Sequence, residues 1–147
     1  MNDQDFKEFF ECLHSADVGL RSASLRSISA RPTKDNRILI ELENLLNDRS
    51  PCLVSIPMMF GEICWLAARA LLQERAAQNI NTIVQIPQVV RPLSVNELLD
   101  VAAAVGIESR KGGLAGSLEI FAQLRDADHL KRYDFKGDPA ITRKYNS

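Results

Sequence analysis

The sequence is poor in the residues from which active sites are most often assembled. It has two histidines, three cysteines, one tryptophan and two tyrosines among 147 residues. Cys12, Cys52 and Cys64 lie in unrelated contexts without the CxxC spacing of a zinc site or redox pair, so they read as reduced, mostly buried thiols. His14 and His129 each fall near an expected helix end, and no serine, cysteine or carboxylate stands at a spacing that defines a triad or metal site. Cys12 is two residues from His14, which puts the two on different faces of a helix. Charge is nearly balanced, 18 basic against 19 acidic side chains, where nucleic-acid binding asks for a cationic surplus. No apolar run approaches the ~20 residues that span a bilayer, so no membrane partner is expected. Met1-Asn2-Asp3-Gln4-Asp5 is acidic where a signal peptide is basic, and cytoplasm is the expected compartment. No residue set implies a cofactor.

What the chain does have is helical periodicity. Its hydrophobic fraction of 46% and charged fraction of 25% are ordinary for a globular chain, long enough for one domain. Phe6, Phe9, Phe10 and Leu13 make one stripe of a helix over 3–14. Asp17 can cap a second helix carrying Leu20, Leu25 and Ile28, which ends before Pro32. A third helix over 34–47 carries Ile38, Leu39, Leu42, Leu45 and Leu46. A loop over 48–60, holding Pro51 and Pro57, leads to the strongest helix, 61–78, with Ile63, Leu66, Ala67, Ala70 and Leu71 on its apolar face. The stretch 80–93, β-branched but broken by Pro87 and Pro92, reads as irregular. Ser94 and Glu97 have capping-box spacing and open a helix that Gly106 ends, and a last helix runs over 114–130. The expected organisation is one helical domain over 1–132 and an extended or partly disordered tail over 133–147, packed by Tyr133, Phe135 and Tyr145.

The second and fourth helices echo one another. Leu20 pairs with Ile63, Ser24 with Ala67, Leu25 with Ala68 and Ile28 with Leu71, always 43 positions apart. Asp17-Val18-Gly19-Leu20-Arg21 and Gly61-Glu62-Ile63-Cys64-Trp65-Leu66-Ala67-Ala68-Arg69-Ala70-Leu71 resemble HEAT or armadillo-type helical repeats over about the first half of the chain. Cys64 stands where that family usually has arginine, and the 48–60 loop is longer than a usual intra-repeat turn. The resemblance implies an all-α fold, a short solenoid of two to three antiparallel hairpins with a degenerate third hairpin and an irregular C-terminal tail. It also implies binding of other macromolecules rather than catalysis.

Two candidate sites follow. Met58, Met59, Phe60 and Trp65, brought to the start of the fourth helix by the proline-bounded loop, form an expected partner-binding patch of adaptable methionines and aromatics. Arg110, Lys111, Gly112 and Gly113 precede a helix, where free N–H groups and two cations could hold an anion. The expected function is a non-enzymatic protein-binding module of the immunity type, neutralising a cognate toxin by covering its active site. An enzymatic alternative comes from the resemblance alone, since some HEAT-like proteins resemble bilin lyases, and it would draw attention to Cys52 or Cys64. A nucleic-acid-binding alternative rests on Arg21, Arg26, Arg31, Lys34 and Arg37, which no aromatic residue interleaves.

Overall fold

Asn2, Asp17 and Asp35 open the first three helices in the same way. Each is extended, and its side-chain oxygen accepts a backbone N–H that the first helical turn leaves unpaired, from Asp5, Gly19 and Arg37 respectively. The helices are α1 (Asp3–Leu13), α2 (Val18–Ala30) and α3 (Asn36–Asn44). The computed structural model describes residues 1–55, 58–133 and 138–143, with the backbone alone at Arg143.

The chain then turns to strand. β1 (Pro51–Ser55) and β2 (Met59–Glu62) form an antiparallel hairpin in which Leu53 faces Phe60 across the pair. β2 runs without a loop into α4 (Ile63–Ala77). After β3 (Val84–Ile86), β4 (Leu93–Ser94) adds to the free side of β2 and runs directly into α5 (Val95–Val105). α6 (Gly113–Asp126) packs on α5, and β5 (Ile141–Arg143) pairs in parallel with β3.

The three-stranded sheet, ordered β1-β2-β4, is a wall between two apolar cores. Successive strand residues point to opposite faces. Cys52 and Val54 therefore join a first core with Leu25, Ile28, Ile38, Leu42 and the buried face of α4, and β3 and β5 add Val84, Ile86 and Ile141 to it. Phe60 points the other way, into a second core with Leu98, Ile120, Phe121 and Leu124, against which Leu53 also packs.

This architecture corrects the all-α solenoid. The described residues hold five strands beside six helices, so the protein is mixed α and β. Residues expected to be loop at 48–60 contain β1 and the first half of β2, and Pro51 is accommodated because it stands at the first position of an edge strand, where its missing N–H costs no ladder bond. Gly61, expected to begin a helix, lies in β2 instead: a Cβ there would sit 2.7 Å from Val54 Cγ1, so the position serves the close approach of β1. The stretch expected to be irregular contains β3 and the first residue of β4, whose partners β5 and β2 lie elsewhere in the chain. The tail is not irregular throughout, since Ile141 is buried within β5. Pro57, Phe135 and Tyr145 lie outside the described residues. No helix among the described residues is long and apolar enough to cross a membrane.

Candidate functional site

α1 and α2 meet along a surface groove of about 450 Å³. α1 contributes Asp5, Glu8, Phe9 and Cys12, and α2 contributes Leu20, Ala23, Ser24 and Ser27. Both sets follow the i, i+3, i+4, i+7 spacing that lines up one face of a helix, so the two walls run side by side for two turns. The groove forms because each helix commits a different stripe to the core. α1 turns Phe6 and Leu13 inward, and α2 turns Leu25 and Ile28 inward. Phe9 lies between the two roles, half-buried against the core and bordering the groove.

The exposed face of α2 is unusual for a solvated helix. Gly19, Leu20, Ala23, Ser27 and Ala30 are all exposed, and none carries charge. Helices that face water usually place charged or strongly polar residues there. Leu20, which the repeat echo pairs with fully buried Ile63, is 48% exposed, and Met1 at one end of the groove is 39% exposed. Among the described residues that line the groove, the charged side chains are the carboxylates of Asp5 and Glu8 from α1. Lys7, the one cation of α1, is two residues from both Asp5 and Phe9 and so lies on another face.

The expected partner-binding patch is divided. Met58 is 43% exposed in the turn between β1 and β2, but Phe60 is fully buried in the second core. Met59 and Trp65 are half-buried against the first core, where Trp65 meets Tyr133 edge-on at 6.2 Å between ring centres and carries the Arg69 guanidinium at 5.0 Å. The four residues do not share one surface, because adjacent strand positions 59 and 60 face opposite sides of the sheet.

At the expected anion site, Arg110, Lys111, Gly112 and Gly113 are all exposed. Gly112 is the N-cap of α6 and offers no side-chain cap, while Gly113 adopts φ +61°. Lys111 Nζ pairs with Glu119 at 3.4 Å, and Ser109 Oγ donates to the same carboxylate at 3.2 Å. One of the two cations of the loop, Lys111, is therefore already met by an anion of the helix that follows, and Arg110 is exposed beside it.

Much of the arginine stretch is likewise engaged within the fold. Arg21 donates to the Ser15 carbonyl and to Ser50 Oγ, and Arg26 donates to the Leu53 carbonyl. Arg37 bridges Asp35 and Asp3 and lies over the Phe6 ring, and its hydrogen bonds hold the Asp35 carboxyl below the ordinary range. Arg31 and Lys34 are exposed. His14 pairs with Glu41 and stacks near Phe10, away from any joint role with Cys12. His129 borders a separate pocket with Arg91, Asp100 and Lys131.

Among the described residues two carboxylates are enclosed by the fold, and both are occupied. Glu62 Oε1 accepts from Arg49 Nε at 2.7 Å and Arg125 Nη1 at 3.3 Å, and its Oε2 accepts the Val90 N–H at 3.1 Å. Glu74 accepts the Thr33 and Lys34 N–H groups and the Thr33 hydroxyl at 2.7, 2.7 and 2.9 Å. Each carboxylate holds separate segments of the fold together. Burial pushes the Cys52 and Cys64 thiols up to about 12, which keeps them protonated and poorly nucleophilic at neutral pH. Cys12 is half-buried at the groove. In native protein a thiol-reactive reagent should therefore modify Cys12 alone, with Cys52 and Cys64 reacting only after unfolding in guanidinium. Rapid modification of a second thiol, read by mass spectrometry, would contradict the burial.

The groove residues escaped the sequence reading, although a signal was present. Gly19, Leu20, Ala23, Ser27 and Ala30, the exposed positions of α2, all lack charge, a pattern that the repeat echo explains as scaffold. No family model matches this chain, and no curated protein or solved structure matches it.

Proposed function

We propose that the protein is a non-enzymatic binding module that docks a protein partner in the groove between α1 and α2. The observation that carries this reading is the uncharged exposed face of α2, with Leu20 48% exposed beside Phe9 and Cys12. Apolar surface left in water costs about 25 cal/mol per Å² relative to burial, so a partner that covers it gains that free energy. The enclosed carboxylates and protonated thiols support a binding role, since the groups best suited to chemistry are tied into the architecture.

Affinity capture from the native host provides the test. Wild-type protein and Ile40→Asp, which alters a 61% exposed residue of α3 outside the groove, should recover the same stoichiometric partner. Leu20→Asp should lose it while retaining the wild-type circular dichroism spectrum, because its side chain is not part of either core. Identical recovery with all three proteins would overturn the reading. The immunity-type form makes a narrower claim: the recovered partner should inhibit growth, and wild-type protein but not Leu20→Asp should relieve the inhibition.

A further inference from the structure

The groove is asymmetric in charge, and the asymmetry specifies its occupant. We infer that the docking element is an amphipathic helix of a protein partner, its apolar stripe seated on α2 and a lysine- or arginine-bearing flank set against Asp5 and Glu8. This rests on the groove being the binding face.

Three features lead to it. The walls are two turns long, about 10 Å at 1.5 Å per residue, which matches the i, i+3, i+4, i+7 anchors of a docked helix. Ala23, Ser24 and Ser27 form the α2 wall with short side chains, so a third helix can approach at the 8–10 Å typical of packed helices while Leu20 fills its surface. Asp5 and Glu8 stand one turn apart on the opposite wall, and no lysine or arginine among the described residues lines the groove. A second copy of the chain joined through this face would bring only uncharged or acidic groove side chains toward those carboxylates. A cationic helix meets them with opposite charge, which favours association and sets the orientation of the docked helix.

A display library of amphipathic helical peptides, with one flank randomised over Lys, Arg, Glu and Gln, tests the inference on the intact protein. Selection should enrich lysine and arginine on that flank, and the selected peptides should shield Cys12 from alkylation. Their binding should weaken with salt and fall about tenfold in the exposed double variant Asp5→Lys/Glu8→Lys. Reselection on that variant should enrich glutamate. If the selected peptides carry neutral or acidic flanks yet still shield Cys12 and are lost with Leu20→Asp, the groove binds helices and the cationic occupant is wrong. If no peptide shields Cys12, or binding ignores Leu20→Asp, the groove reading itself falls. Concentration-dependent sedimentation of the protein alone as a dimer that shields Cys12 would replace the foreign helix with a second copy and overturn the inference.

Discussion

Glu62→Ala should lower the free energy of unfolding by about 3–5 kcal/mol, a large part of what holds a domain of this size together. Glu62 closes β2 and, in extended conformation, is also the residue from which α4 starts. Its carboxylate meets Arg49 from the connection before β1 and Arg125 from α6, and Arg125 also donates to the Arg49 carbonyl at 2.6 Å. Alanine would leave Arg49, 38% exposed, without its anion, and Arg125, 13% exposed, with only the exposed Asp126 at 3.0 Å. It would also leave the Val90 N–H without its acceptor. A mostly buried charge that loses its enclosed partner costs more than the ion pair contributes, and that cost falls chiefly on Arg125, while Arg49 already has one buried nitrogen, Nη2, without a hydrogen-bond partner. Replacing all three side chains together, as Arg49→Met, Glu62→Leu and Arg125→Met, should recover much of the loss, because no charge then remains to be solvated. Urea denaturation of the single and triple variants decides the matter. A single-variant loss under about 1 kcal/mol would mean that water already solvates the cluster.

Glu74→Ala is expected to cost about 3 kcal/mol by a different route. Glu74 is fully buried on α4 and collects three donors from the turn between α2 and α3. In that turn Lys34 takes φ +59°, a left-handed conformation that non-glycine residues adopt only at a cost. The carboxylate fixes the turn, and the turn places Asp35 to cap α3. Without it, enclosed donors lose their acceptor and the start of α3 should loosen. Urea melts should show the drop in stability, and amide exchange should show its local origin as faster exchange in residues 33–38 than in α6. Uniform acceleration throughout the chain would argue against a local anchor.

The start of α2 and both ends of α5 were legible from the sequence because their causes are local. Asp17 accepts a bond two residues ahead, Ser94 and Glu97 satisfy each other's backbone, and Gly106 ends α5 at φ +72°. The strands were hidden because their causes are distant. β4 is two residues long and exists as strand through β2, and nothing near Val84 announces that Ile141 will lie beside it. Proline at position 51 pointed to a loop, although the edge of a sheet accepts it. The candidate site divides the same way. The apolar character of Met58, Met59 and Phe60 was readable, but which side of a sheet each faces depends on pairing. The groove needed the angular placement of α2 against α1 before Leu20 could be seen to face outward.

The parallel pairing of β3 with β5 encloses β4, α5 and α6 within its loop. A ribosome makes β5 after everything the pairing closes over. Until then β3 presents Val84 and Ile86 with no strand beside it, an edge of the kind to which other chains adhere. Closing so large a loop also carries an entropic cost that short hairpins such as β1–β2 avoid. The nascent chain thus passes through an interval in which its helices can form while one apolar strand waits. The rate at which β5 arrives sets how long that edge is open to misassembly.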